Sequence, residues 1–240
     1  METLKEILDT YSRRARLQPA LITILPIGLT ALAWHPEEAR GFGFLWAFLV
    51  SVGGTALLAQ MARNRGKQLE PTLYASWGGK PTTRFLRHRD APNKVLLARR
   101  HQKLQAVIPA VSLPNASEEK ADPAHADEVY DACVAYLLEK TRERQKFSLL
   151  FEENCGYGFR RNLWGLKPIG LLFAFAGTLA TGWLAFNFYR TRTAIPLLVV
   201  VCGGINFGLL LLWIFWVTPS TVRLAAEAYA ERLLAACEDL

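Results

Sequence analysis

Four stretches of the chain, 17–34, 42–61, 169–189 and 194–217, contain no Asp, Glu, Lys or Arg. Each is about long enough to cross a hydrocarbon core of roughly 30 Å, which excludes a wholly water-soluble domain. The same absence argues against a coupled pump or carrier, because such proteins keep an ionisable group near the membrane midplane. Cysteine is scarce as well. Cys133, Cys155, Cys202 and Cys237 follow no pairing pattern and none has metal-ligand spacing to another, so free thiols in a reducing compartment are expected and no cofactor or metal is implied. Catalytic motifs are also missing. Cys155 as a nucleophile would need a histidine, and no recognisable motif places His88, His101 or His125 beside it, while the adjacent carboxylates Glu152 and Glu153 do not converge. The sequence therefore predicts a protein that is not an enzyme.

What is present is segregated: apolar residues make up 51% and charged residues 20%, the profile of an integral membrane protein with a soluble part. The expected plan is all-α, with an amphipathic helix at 1–16 and a transmembrane hairpin at 17–61. A cytosolic α-rich domain at 62–168, a second hairpin at 169–217 and a C-terminal cytosolic helix at 218–240 complete it. Pro19 and Pro26 are tolerable in a membrane helix, and Pro168 and Pro196 suit helix starts. Ala31-Leu32-Ala33 has the form of a signal-peptidase site. The amphipathic 1–16 segment, with Leu4, Ile7, Leu8 and Tyr11 on one face and carrying Glu2, Glu6 and Asp9, does not resemble the short basic start of a signal peptide. Nineteen of the twenty-eight basic residues fall between 62 and 168, so the positive-inside rule places this segment and both termini in the cytoplasm.

Within that segment, residues 63–103 carry eleven basic residues against Glu70 and Asp90 alone. Those at 63–67 serve topology and anionic lipid. Arg99, Arg100 and Lys103 lie farther along, on a helix expected to start at Asp90-Ala-Pro92, to bury Val95, Leu96, Leu104, Val107 and Ile108, and to end at Pro109. With Lys80 and Arg84 they form a candidate anion site, completed by Arg160 and Arg161. Trp77-Gly78-Gly79-Lys80-Pro81-Thr82-Thr83 is read as a turn rather than a phosphate loop, since Tyr74 replaces the first glycine of a Walker A motif and Pro81 follows the lysine. Residues 109–122 read as a loop. His125 among Asp122, Asp127, Glu128 and Asp131 reads as a helix start capped by Asp122, not a metal site.

The span 151–165 holds two carboxylates, a thiol, three glycines, two arginines and several aromatics. Gly156 and Gly158 are expected to break the helix there as a hinge, with Phe151, Tyr157, Phe159 and Trp164 at the lipid interface. Glu152, Glu153 and Asn154 are left to contact the basic helix or a neighbouring subunit. In the membrane segments, Gly204-x-x-x-Gly208 with Asn206 between, Gly177-x-x-x-Thr181-x-x-x-Ala185 and Ser51-x-x-x-Thr55-x-x-x-Ala59 permit close helix contact. Gly204, Asn206 and Gly208 are the expected homo-oligomer interface.

Two membrane hairpins flanking a cytosolic domain of about a hundred residues, with no catalytic motif, resemble over the whole chain the plan of small four-transmembrane effectors in bacterial anti-phage nucleotide-signalling systems. The resemblance implies the bacterial inner membrane, self-association, a cyclic-nucleotide-like anionic ligand or a cytosolic protein partner, and a pore or membrane disruption as output. A non-catalytic anchor or scaffold subunit is the alternative.

Overall fold

The computed structural model describes residues 9–37 and 42–240, with the backbone alone over 42–52. Every regular element among them is helical. In chain order these are α1 (Thr10–Trp34), α2 (Phe42–Ser76), α3 (Pro81–Arg84), α4 (Lys94–Val107), α5 (Ala116–Ala121) and α6 (Pro123–Lys140). α7 (Ser148–Arg190), α8 (Leu197–Trp216), α9 (Pro219–Ala235) and a closing 3₁₀ turn, Ala236–Asp239, follow. By length and composition α1, α7 and α8 can cross a membrane. The predicted 42–61 segment lies in α2, but its first half falls outside the described side chains, as do residues 1–8 of the predicted N-terminal helix.

Two compact units are present: Met1–Leu69 with Gly158–Val222, which holds all or most of each of the three helices long and apolar enough to cross a membrane and is labelled the membrane unit for that reason, and Glu70–Tyr157 with Arg223–Leu240, labelled the soluble unit after the sequence expectation. The membrane unit buries Ala20, Leu58, Ala62, Leu163, Leu166, Ala174, Trp213 and Val217 and turns Leu21, Leu172, Phe175, Leu179, Val200 and Phe207 outward. Such outward apolar side chains suit lipid as the solvent. Pro19 and Pro26 sit inside the continuous α1, where the hydroxyls of Thr23 and Thr30 donate to the Pro19 and Pro26 carbonyls at 2.8 and 2.7 Å.

The soluble unit closes around Leu86, Leu104, Leu113, Tyr130, Cys133, Leu137, Phe147, Leu233, Leu234 and Cys237. Residues 223–240 are thus part of its core rather than a separate helix, because Leu233, Leu234 and Cys237 are fully buried in it. Burial pushes the Cys133 thiol up to about 11, so this cysteine stays protonated and unreactive.

Several local expectations are corrected. α4 starts at Asn93, not Asp90, because the Asn93 carboxamide oxygen accepts from the Leu96 N–H at 3.0 Å. Its buried face is Leu97, His101, Leu104 and Ile108, while Val95 is 81% exposed. Residues 116–121 form a helix rather than a loop, capped reciprocally by Asn115 and Glu118. α7 runs unbroken through Gly156, Gly158 and Pro168, so the expected glycine hinge does not exist. Each glycine costs a helix only about 1 kcal/mol, and packing outweighs that. Pro196, by contrast, stands immediately before α8 as expected, and Asp122 caps α6 with its side chain accepting from the His125 N–H at 3.0 Å.

Candidate functional site

In the soluble unit the chain reverses at Trp77–Gly79, with Gly78 and Gly79 at φ of +80° and +129°, conformations that side-chain-bearing residues rarely adopt. This is the predicted turn. It is fastened from behind: the Arg87 guanidinium donates to the Gly78 carbonyl at 2.7 Å, to both oxygens of Asp127 at 2.7 and 2.6 Å, and to Asp90 at 3.0 Å. A bidentate guanidinium–carboxylate pair of this kind is strong and directional. Arg87 is correspondingly buried at 7% exposure. Burial opposes its charge, but the hydrogen bonds and charges of Asp127 and Asp90 outweigh that and raise its pKa.

Glu119, on α5, is the second fastener. At 2% exposure it accepts from the backbone N–H of His88 at 2.7 Å and of Arg89 at 3.2 Å, from the Arg89 side chain at 3.2 Å and from the Tyr130 hydroxyl at 2.8 Å. Burial alone would raise the Glu119 pKa, yet the donors from His88, Tyr130 and Arg89 prevail and lower it. Burial and the bond to Glu119 push the Tyr130 hydroxyl up. His101 stands edge-on to His88 with ring centroids 5.0 Å apart and lies 2.8 Å from the Leu86 carbonyl through Nε2, which must therefore carry the proton. Burial lowers its pKa and keeps the ring neutral. The sequence reading missed Arg87, His101, Glu119 and Tyr130. The Asn115-x-x-Glu118 capping box was the one signal that would have placed Glu119 on a helix.

The predicted anion-binding residues have different fates. Lys80 pairs with Asp131, which also accepts from the Thr83 hydroxyl, and Arg84 lies 3.5 Å from Glu227 and 4.0 Å from Asp90. Arg99 donates to Glu238 at 2.8 Å. These three are neutralised by carboxylates of their own unit. Among the described residues Arg100 and Lys103, one turn apart on α4 and both half-buried, form neither a hydrogen bond nor an ion pair; desolvation lowers the Arg100 pKa, with Glu231 opposing from a distance. Arg160 and Arg161 belong to the membrane unit. Arg161 is buried there, with its guanidinium against the Asn162 side-chain oxygen at 3.2 and 3.3 Å.

Two glycines of the 151–165 stretch, Gly158 and Gly165, do packing work in that unit, whereas Gly156 has nothing within 4 Å of a Cβ among the described residues. A methyl group on Gly158 would lie 2.8 Å from the Tyr11 hydroxyl oxygen and 2.9 Å from the Ala15 Cβ. One on Gly165 would lie 2.8 Å from the backbone nitrogen of Gly66, and one on Gly66 would overlap the Asn162 carboxamide. Asn162 in turn donates to the Ala15 carbonyl at 2.6 Å. Farther along, Gly170 lies directly under the indole of Trp213. α1, α2, α7 and α8 thus meet where side chains are absent.

The expected interface residues divide between faces. Asn206 is fully buried inside the unit and donates to the Thr30 hydroxyl at 3.2 Å, above Gly177, so it is withdrawn from the proposed contact between copies. Gly204 and Gly208 have open space on their outer side. The reason is helical phase: two residues turn the chain by about 200°, so Asn206 cannot share a face with its flanking glycines. Thr181 packs inward against Gly203, and Thr55 is buried too. Among the described residues no group of His, Cys, Asp and Glu has the arrangement of a metal site. No family model, no curated protein and no solved structure matches the chain.

Proposed function

We propose that this chain is a multi-pass membrane protein whose helical soluble unit receives an anionic ligand or an acidic partner on α4, and whose membrane helices associate with other copies and respond by opening a pore or disrupting the membrane. The observation that supports this reading is the contrast along the basic segment. Lys80, Arg84, Arg87, Arg89 and Arg99 are neutralised by carboxylates, whereas Arg100 and Lys103 stay half-buried without a direct partner. A partly desolvated cation favours an anion beside it. In a bacterial inner membrane the ligand would be nucleotide-like and the output defensive, as the four-helix plan suggests.

The extent of internal charge pairing favours a second reading, an anchoring or scaffold subunit that binds no small ligand. The two separate in one experiment. Induced expression in cells loaded with a potential-sensitive dye is expected to depolarise the membrane, and reversing the charge of Arg100 and Lys103 is expected to abolish this while insertion stays normal. Absence of depolarisation under any expression level refutes the effector reading and favours the scaffold.

A further inference from the structure

At the start of α4 a small niche of about 70 Å³ opens between Phe85, Pro92, Leu96, Leu97, Arg100 and Glu231. Its walls are mostly apolar, with one guanidinium and one carboxylate. These two are close enough to be felt electrostatically yet form no ion pair. The gap between them is unusual within this unit. Arg84, with a side chain 17% exposed, lies against Glu227 and Asp90, and Arg87, at 8%, holds Asp127 and Asp90. Half-buried guanidinium groups ordinarily find a partner, because each N–H left without an acceptor forfeits its hydration.

Resting on the proposed anion-receiving role of the soluble unit, we infer that this niche is the seat of one phosphate-sized anion, bound through the Arg100 guanidinium with Lys103 one turn farther along as a second cation. The volume sets the size. About 70 Å³ leaves room for a group of a few heavy atoms. A phosphate monoester head or a carboxylate is a group of that size. A nucleotide-like ligand would therefore insert a terminal phosphate and leave its body outside, along Leu96, which is 40% exposed. A guanidinium accepts such a head in a two-pronged geometry that lysine cannot reproduce. Glu231 sets the sign of the most telling substitution: its negative charge works against the anion, so removing it strengthens binding.

The test uses the full-length chain in neutral detergent and phenyl phosphate as the probe, with binding read by calorimetry. Wild type is expected to bind. Arg100→Gln is expected to weaken binding by roughly tenfold or more, Arg100→Lys by less, and Glu231→Gln to tighten it severalfold. Arg142→Gln, at an exposed residue paired with Glu139, is the surface-charge control and should change nothing. The niche is refuted if wild type does not bind, if Arg142→Gln weakens binding as much as Arg100→Gln, or if Glu231→Gln weakens it. Should Arg100→Gln fail to fold, the opposite directions expected for Arg100→Lys and Glu231→Gln still decide. Bilayer discs distinguish the source of the phosphate. Equal binding with and without phosphatidic acid supports a soluble ligand, and loss of probe binding only in phosphatidic acid discs supports a lipid headgroup in the same niche. Failure of the functional reading looks different: Arg100→Gln that has lost phenyl phosphate but still depolarises cells leaves the niche intact and removes its link to the membrane response.

Discussion

The two units are held together by opposite means. In the membrane unit the closest helix contacts occur where side chains are missing, at Gly66, Gly158, Gly165, Gly170 and Gly177. In the soluble unit charged side chains fasten the 87–89 loop to the helices, at Arg87 with Asp127 and at Glu119 with its four donors. Lipid offers no hydrophobic gain for bringing two helices together, so association depends on close van der Waals packing that only small residues allow. In water the hydrophobic core gathers the helices, and buried ions fix which loop lies on which helix. A glycine in one unit and a glutamate in the other are thus equally structural.

The sharpest way to break this comparison is to add one methyl group. Gly165→Ala meets the Gly66 backbone, which has nowhere to go, and is expected to cost about 3 kcal/mol. Gly204→Ala meets open space and is expected to keep or slightly raise stability, since alanine is the better helix former. Thermal unfolding of the two variants in detergent reads the difference, and equal melting temperatures would end the argument for glycine-mediated crossing.

Next in size is Glu119→Ala in the soluble unit. It strands the Tyr130 hydroxyl and the His88 and Arg89 amides, an expected loss of about 2 to 3 kcal/mol. Tyr130→Phe, which removes one donor and leaves the rest, is expected to cost about 1 kcal/mol. Denaturant unfolding checks both, and Tyr130→Phe exceeding Glu119→Ala would show that the carboxylate is not the centre of this network.

The pH dependence also belongs to the soluble unit. His101 has a folded pKa below its unfolded value, so the unfolded chain binds the extra proton first, and its contribution is complete above the ordinary histidine range and lost as pH falls below it. Glu119 is likewise depressed, and its contribution is lost only at lower pH, as the solution falls below the ordinary carboxylate range toward its folded pKa. Unfolding followed from pH 7 to pH 5 should show declining stability that His101→Gln flattens. An unchanged slope would remove His101 as the cause.

Two small effects complete the set. Arg99→Ala, which breaks a largely exposed pair with Glu238, is expected to leave melting unchanged. Gly208→Leu is expected to leave the protomer intact, because among the described residues nothing lies within 4 Å of a Cβ there, while lowering oligomer size if copies meet there. Unaltered size by light scattering rejects that interface.

Much of this was legible from local chemistry. Asp122 ahead of Pro123 signals a helix start, Gly78-Gly79 a turn, and Pro196 the start of α8. The hinge expected at Gly156 and Gly158 was misread because a glycine reports only conformational freedom. Whether that freedom bends a helix or admits Tyr11 depends on a segment far away in the chain. The stripe on α4 was misread for a similar reason: Val95 and Leu97 are equally apolar, and only the neighbouring core chose Leu97.

The sequence by itself determined the all-helical plan, the charge-free spans and the concentration of basic residues in the middle segment. These follow from composition and period, which act over one or two helical turns. The tertiary structure alone decided which cations are already neutralised, that Asn206 faces inward while Gly204 and Gly208 face outward, and that Arg100 stays without a partner. Those outcomes depend on pairs such as Arg87 with Asp127 and Thr30 with Asn206, which are separated by 40 and 176 positions and share no local signal. Only folding makes them neighbours.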